Sequence, residues 1–421
     1  MNPDMCKKGA MMRGTWLLGL AALSVAGPAH AQLLPQLPAP SLPATGSGVL
    51  GQLGQNVETV TGNVARQLEG ARRAAAATLV RQYPDRIALD PDGFPARAGE
   101  VVVEDPSEAL VAAATAKGYR LIERQEVLGI GFARLEAPRG RSLKQAIREL
   151  RKLGGQGVTA DQLHAQSGNG AARTAPMAAG AGPMVGVIDG GVAGASLSAG
   201  FAAGAPRANG HGTAVASLIA GAGEVRGGLP GARIASADVY GSDPAGGNAT
   251  AIAKAIGWMV QNRVSVVTIS LAGPANPLLG RVIAAARARG VVIVAAVGNN
   301  GPAAPPAYPA SYPGVIAVTG IDGRGRALIE AGRATHLDYA APGADILAMA
   351  ESGRAARVRG TSFAAPFVAA VIARHYPAPN PAALGAAMSK VDREARDAGA
   401  RGPDRSYGRG VLCEACRTPA R

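Results

Sequence analysis

The chain has 421 residues, 48% of them apolar, and a formal charge of +14; that length accommodates one large domain with its own core and a smaller companion. The positive charge is mostly arginine and is scattered, with no basic run interleaved with aromatics, so nucleic-acid binding is set aside in favour of a solvated, arginine-rich surface. Aromatics are few while Gly and Ala abound, a composition suited to helices packed closely on a sheet.

Lys7, Lys8 and Arg13 precede the apolar stretch Trp16 to Ala26, and Ala29-His30-Ala31 then supplies the small residues of a cleavage site. Residues 1–31 thus read as a secretory signal peptide, cut between Ala31 and Gln32, with Met11 or Met12 as alternative starts. Cys6 lies ahead of the apolar stretch and is not placed as a lipid acceptor. No other stretch is long enough to span a bilayer. The mature chain is therefore expected to be exported, to the periplasm or the medium, with no membrane span.

Residues 32–98 hold a linker rich in Pro, Leu, Ser and Gly, followed by an amphipathic helix from about Gln55 to Gln82. In that helix Val57, Val60, Val64, Leu68, Ala71, Ala75 and Leu79 recur at three- and four-residue steps, the spacing of one helical face. Tyr83-Pro84-Asp85 ends it. Residues 99–166 read as a compact small domain: strand 100–104, helix 106–117, strands 119–123 and 129–136, helix 142–153, strand 158–164. The order β-α-β-β-α-β is that of a ferredoxin-like sandwich. Residues 167–182, rich in Gly and Ala, form an exposed linker.

From Pro183 short apolar strands alternate with helices, and the larger domain is placed at 183–412. Candidate strands are 184–188, 233–239, 264–269, 291–297 and 315–319; candidate helices are 213–220, 250–261 and 277–289. This pattern predicts an α/β fold, a doubly wound parallel sheet with helices on both faces, whose ligands bind at the carboxyl ends of the strands. The tail, 413–421, carries Cys413 and Cys416. No second ligand pair accompanies this Cys-x-x-Cys, so in an oxidising compartment a local disulfide is favoured over free thiols, zinc or redox chemistry.

Several polar residues fall where such a sheet presents its ligands. Asp189 follows the strand 184–188 and precedes Gly190-Gly191. His211 sits in Gly210-His211-Gly212-Thr213, opening an apolar helix. Asn299 lies in Gly298-Asn299-Asn300-Gly301, after the strand 291–297. Ser362 lies in Gly360-Thr361-Ser362-Phe363-Ala364-Ala365-Pro366, ahead of the apolar run 367–373. Each has an ordinary reading alone: a cap, a packed histidine, a turn residue, an N-cap. His336 and His375 keep that reading as surface or packing residues. Together the four supply what acyl transfer requires, a nucleophile, a base, an orienting carboxylate and an oxyanion donor. Ser362 near a helix start would also profit from backbone N–H groups and the dipole.

On these motifs, residues 183–412 resemble the subtilisin-like serine proteases (subtilases, peptidase S8). The resemblance rests on Val187-Ile188-Asp189-Gly190-Gly191-Val192, Gly210-His211-Gly212-Thr213 and Ser270-Leu271-Ala272-Gly273. It extends through Ala295-Ala296-Val297-Gly298-Asn299, Tyr308-Pro309-Ala310-Ser311-Tyr312-Pro313, Ala341-Pro342-Gly343 and the segment around Ser362. Gly190 stands where the family usually has Thr or Ser, and the stretch from Asp189 to His211 is short. The resemblance implies a three-layer subtilisin-like fold with Asp189, His211 and Ser362 as catalytic residues and Asn299 as the oxyanion-hole amide. It further implies a substrate pocket between Ser270, Leu271, Ala272, Gly273 on one wall and Ala296, Gly298 on the other, suited to a large apolar residue. Asp238 to Asn248 is expected to help form an outer subsite.

By the same resemblance residues 99–166 are an inhibitory propeptide and the protein is a self-processed zymogen, cut within 164–182. Its partners are a peptide or protein substrate and its own propeptide, and a monomer is expected. The family can bind calcium, but no D-x-D-x-D-G loop is present, so no cofactor or metal is expected. A proteolytically silent subtilase fold used for binding is the alternative. An esterase of the α/β-hydrolase type would need G-x-S-x-G, and Ala364 occupies the place of the final Gly.

Overall fold

The computed structural model describes residues 70–166, 180–349 and 354–420. The signal peptide, the Pro-rich linker, the first part of the amphipathic helix and most of the Gly/Ala linker lie outside the described residues. Helix α1 is described over residues 70–82 and stops at the turn 83–86.

The small domain follows as β1 (Ile87–Leu89), β2 (Pro95–Glu104), α2 (Glu108–Ala116), β3 (Arg120–Val127), β4 (Ile130–Glu136), α3 (Leu143–Lys152) and β5 (Gln156–Gln162). β2 starts at Pro95 and pairs with β1, so the boundary expected at residue 99 falls inside a strand. A Pro opening the strand and the polar run Arg97-Ala98-Gly99 hid this start, because the alternation there lacks apolar residues. β2 pairs antiparallel with β4 and β5, and β4 with β3, giving the order β5-β2-β4-β3. Helix α3 begins with a reciprocal capping box between Ser142 and Gln145.

Strand alternation gives this small sheet two apolar faces. Val101 and Val103 point into a core shared with α2 and α3, alongside Leu110, Leu135, Ile147 and Leu150. Val102 points the other way and, with Val127, Ile130 and Phe132, joins the core beneath two helices of the large domain. One strand thus serves two cores.

The large domain contains β7 (Met184–Asp189), β8 (Leu197–Gly200), α4 (Gly210–Ala220), β9 (Arg233–Asp238), α5 (Ala249–Gln261), β10 (Val266–Ile269), β11 (Leu271–Ala272), α6 (Pro277–Ala288), β12 (Val292–Ala296), β13 (Ile316–Ile321) and β14 (Tyr339–Pro342). A hairpin of β15 (Ile346–Met349) and β16 (Ala355–Val358), then α7 (Ala365–His375) and α8 (Pro381–Glu394), complete it. β6 (Ala165–Gln166), a two-residue strand just after the small domain, pairs with β11. The central sheet has seven strands in the order β14-β13-β12-β10-β7-β9-β8, all parallel. The edge strands β8 and β14 differ from the expected set: each is only four residues long, and β8, Leu-Ser-Ala-Gly, is half exposed with no apolar run.

The alternation sorts the strand residues between two layers. Val185, Val187, Val266, Val292 and Val294 face α4 and α7, while Ile188, Val267, Ile269, Ile293 and Ala295 face α5 and α6. Helix α7 is buried from Ala365 to Ala373, so it is apolar on every side, as a helix enclosed in a core must be. Among the described residues no helix is long and apolar enough to cross a membrane.

The C-terminal tail is fastened. Leu347 N–H donates to the Thr418 carbonyl and Ala420 N–H to the Asp345 carbonyl, at 2.9 and 3.1 Å. Cys413 and Cys416 are joined as a disulfide with their Cα atoms 5.0 Å apart.

Candidate active site

Because the sheet is parallel, the carboxyl ends of β7, β10 and β12 open on the same edge, and the candidate residues gather there. Asp189 is the last residue of β7 and is fully buried. His211 is in the first turn of α4, whose N-cap Asn209 accepts the N–H groups of His211 and Gly212 at 2.8 and 3.3 Å. Two close approaches fix this geometry. A Cβ on Gly212 would stand 2.1 Å from the Gly190 carbonyl oxygen, and one on Gly190 would stand 2.5 Å from Asn209. The space that a Thr or Ser would fill after the aspartate is thus taken by the cap of α4.

The carboxylate of Asp189 faces the His211 ring. Nδ1 lies 3.0 and 2.9 Å from its two oxygens, and the Gly190 N–H donates to Oδ1 at 2.7 Å. A buried carboxylate held by these donors fixes the tautomer with Nδ1 protonated and Nε2 free to accept. Nε2 is buried and has no hydrogen-bond partner among the described residues. The ring is packed against Phe363, centroids 5.3 Å apart.

Ser362 is the middle residue of a single 3-10 turn, Thr361–Phe363, which leads into α7. It is not the N-cap of that helix: the cap position is Ala364, with no side-chain hydrogen bond, and Pro366 stands in the first turn. The Oγ of Ser362 donates to the Ser270 carbonyl at 2.9 Å, and the Oγ of Ser270 donates back to the Ser362 carbonyl at 2.9 Å. Gly360 before it has φ +141° and donates its N–H to Gly343. That conformation is open to glycine and strained for any other residue.

Asn299 lies beside this turn. Its Oδ1 accepts the Thr361 N–H at 3.0 Å and the Thr361 hydroxyl at 3.1 Å, which orients the amide. The other end, Nδ2, is buried with no partner among the described residues. A buried donor in that condition costs about 1–3 kcal/mol, which a ligand oxygen would recover.

The residues expected to line the substrate pocket divide. Gly298 has φ +81°, and a Cβ added to it would stand 3.1 Å from the Ala272 methyl and 3.6 Å from that of Ala307. These three small residues face one another across a narrow slot. Ser270, fully buried, turns its hydroxyl onto the Ser362 backbone and does not line the slot. Ala296 belongs to the core beneath α4 and α7, since β12 points it away from the cleft. Leu271 is buried beneath the cleft floor.

The cleft is filled by the chain itself. After β5 the backbone runs between two edges of the large domain: Leu163 bridges Asn248, His164 N–H donates to the Gly247 carbonyl at 2.8 Å, and Ala165 and Gln166 pair with Ala272 and Leu271. The Tyr240 hydroxyl donates to the His164 carbonyl at 2.6 Å. Burial, with Asp189 and Asp238 nearby, holds that phenol well above its usual range and hence neutral. The His164 ring is fully buried against Gly273, and burial lowers its pKa to about 4. Gln166 Nε2 donates to Asp189 Oδ1 at 2.8 Å and approaches Asn209 Oδ1 at 3.4 Å.

Polar contacts flank this strand. Asp161 accepts the Thr250 N–H at 3.0 Å and its hydroxyl at 2.7 Å, at the N-terminus of α5. Asn276, the N-cap of α6, donates to Gln162 Oε1 at 2.7 Å. Arg97 reaches Asp243 at 2.8 Å, and Arg281 reaches both Glu104 and Asp105. Burial would raise the Asp243 carboxyl, but Arg97, the Ala245 N–H and Arg86 outweigh it and hold it below its usual range.

His164, Gln166, Tyr240 and Ala307 are the site residues that sequence reasoning missed. Tyr240 lay within the expected outer subsite, and Ala307 immediately precedes the motif beginning at Tyr308. His164 and Gln166 carried no signal, because β6 is two residues long and its partner is remote in sequence. His336 and His375 stay elsewhere, His336 against the Val315 carbonyl and His375 against Glu394. Among the described residues no group of three or more His, Cys, Asp or Glu could hold a metal ion.

Residues 180–410 match the profile of peptidase S8, the subtilase family. Subtilisin DY of Bacillus licheniformis is 35% identical over 129 residues, covering 29% of this chain and 47% of that protein. The minor extracellular protease Epr of Bacillus subtilis is 30% identical over 163 residues, covering 38% of this chain and 25% of Epr. The chain thus spans less than half the length of these curated relatives. Among solved structures, fervidolysin from Fervidobacterium pennivorans, a keratinolytic enzyme related to subtilisin, matches with a TM-score of 0.59 at 20% identity, over 75% of this chain and 60% of that one. The epidermin leader peptide processing serine protease of Staphylococcus aureus matches with a TM-score of 0.57 at 17% identity, over 75% and 96%. At these identities the two structures show a shared fold.

Proposed function

The chain belongs to the subtilase family, and from that premise we propose that it is an exported serine endopeptidase that hydrolyses peptide bonds through an acyl-enzyme. One observation carries the reading. Around Ser362 stand two buried groups with free ends, His211 Nε2 as acceptor and Asn299 Nδ2 as donor, each fixed from its other end by a carboxylate or a backbone N–H. The Ser362 hydroxyl, turned toward it, would satisfy Nε2, and the oxygen of a peptide carbonyl under attack would satisfy Nδ2.

In this mechanism Ser362 Oγ turns from the Ser270 carbonyl to His211 Nε2, gives up its proton as it attacks the carbonyl carbon, and forms a tetrahedral intermediate. The oxyanion accepts from Asn299 Nδ2 and the Ser362 N–H. His211 then passes the proton to the leaving amine, and water repeats the cycle on the ester while Asp189 holds the imidazolium. The small residues Gly298, Ala272 and Ala307 would form one wall of the subsite for an apolar side chain on the acyl side of the bond. The chemistry is carried by side chains and backbone, and we assign no cofactor and no calcium.

The small domain is read as a propeptide, because β6, the strand that follows it, lies in the cleft in the manner of a product. The described chain leaves the cleft at Gln166 and returns at Gly182, whose N–H donates to Gly231 near the opposite ends of the strands. We place the mature enzyme in the periplasm or the medium, as a monomer.

A silent fold used for binding is the second reading, favoured by the Ser362 hydroxyl being turned to Ser270. A fluorophosphonate probe separates the two. Labelling of the parent at Ser362, with loss of both labelling and peptide hydrolysis in Ser362→Ala, is expected; hydrolysis that survives in Ser362→Ala would remove the assignment.

A further inference from the structure

We propose that the cleft selects substrates carrying glutamine at the place now held by Gln166, reading its neutral carboxamide through Asp189 and Asn209. The inference rests on the endopeptidase reading and extends it to the class of peptide cleaved.

The argument begins with the strand. Ala165 and Gln166 pair in antiparallel register with Ala272 and Leu271, and Leu271 is preceded by Ser270, which is bonded to Ser362 in both directions. The backbone of β6 therefore runs toward the nucleophile along the edge a substrate would use. Gln166 faces the Asp189–His211 pair, and its Nε2 donates at 2.8 Å to Asp189 Oδ1, which also takes the Gly190 N–H and His211 Nδ1. Asn209 Oδ1 stands 3.4 Å away on the other side. Both neighbours of the Gln166 Nε2 are therefore acceptors, and one is a carboxylate in a fully buried position.

Those acceptors discriminate by chemistry. A hydrogen bond to a charged acceptor is worth roughly 1.5–3 kcal/mol, or about 10- to 150-fold in rate or affinity. Leucine stops one atom short of the glutamine Nε2 and has no donor. Glutamate would set a second carboxylate against Asp189, a like-charge contact. Lysine is one atom longer and must surrender its hydration to enter. Asparagine is one methylene short.

The test leaves the enzyme unaltered, since Asp189 and Asn209 hold the catalytic pair. The purified full chain is given an equimolar mixture of quenched-fluorescent peptides copying residues 162–171, identical except for Gln, Leu, Glu, Lys or Asn at position 166. Internal competition yields kcat/KM ratios that do not depend on the fraction of open clefts. Cleavage of the Gln peptide at least tenfold faster than the Leu and Asn peptides, and more than that over the Glu peptide, is expected. Rates within threefold of one another, or a Lys peptide that equals the Gln peptide, overturn the inference while leaving the endopeptidase reading intact. If neither these peptides nor unstructured casein is cut, both fall.

Discussion

Asn299 shows how a single side chain is prepared at one end for work at the other. Thr361 holds its Oδ1 twice and leaves the amide N–H buried without a partner. Replacing it with alanine removes the donor and leaves the Thr361 N–H to be satisfied elsewhere. The expected result is a kcat lowered about 10²- to 10³-fold with KM little changed, the size seen when subtilisin loses its oxyanion amide. Steady-state kinetics checks this, and a loss confined to KM would mean that Asn299 binds substrate without stabilising the transition state. His164 offers a second residue-scale test. A free histidine titrates near 6.5, whereas burial in the cleft lowers this one to about 4. Between those values the released strand takes up a proton that the docked strand refuses. Docking is therefore at full strength above about pH 6.5 and weakens as the pH falls toward 4, by about 1.4 kcal/mol per unit. Urea unfolding of the Ser362→Ala chain at pH 7 and 4.5, beside the same chain carrying His164→Leu, isolates this contribution. The parent should lose about 2.4 kcal/mol more than the His164→Leu chain; equal losses would show that the ring stays accessible to protons.

At the scale of elements, the helices of the large domain are capped partly by the small one. Helix α5 has its own N-cap, Asn248, yet the next free N–H and the Thr250 hydroxyl go to Asp161 of the small domain. Burial pushes that carboxyl up, opposed by Thr250, Arg134 and Arg97. Asp161→Ala leaves the Thr250 N–H buried without its acceptor, while the hydroxyl keeps Asn248 Oδ1 at 2.9 Å, so a loss of about 1–3 kcal/mol is expected, read as a lower urea midpoint in the Ser362→Ala chain. A midpoint shifted by less than about 0.5 kcal/mol would mean that Asn248 suffices as the cap. Helix α7 makes the complementary point: it carries no side-chain cap and is stabilised by complete enclosure, which also fixes the turn bearing Ser362 at its start.

For the whole molecule, the small sheet's second face is the decisive feature. Val102, Val127, Ile130 and Phe132 close the core over α5 and α6, so the small domain is an integral layer of the chain. A self-processing enzyme should therefore yield two fragments by intact-mass analysis, with a new N-terminus inside residues 164–182, while Ser362→Ala remains one chain. A stable, active form that keeps the uncut sequence from Gln32 would refute processing.

The sequence by itself determined the alternation of strand and helix from residue 184 onward, because strands buried on both faces leave uninterrupted apolar runs such as Val266–Ile269. It also placed Asp189, His211, Asn299 and Ser362, since each sits at a strand end or helix start among small residues that local rules can recognise. Only the tertiary structure decided what depends on remote partners. The start of β2 at Pro95 is set by pairing with β1 and β5. Ser270 and Ala296 leave the pocket because a hydrogen bond and a strand's facing direction send them elsewhere. The strand that fills the cleft is two residues long, too short for any periodicity, and it exists because its edge matches one that lies a hundred residues further along the chain.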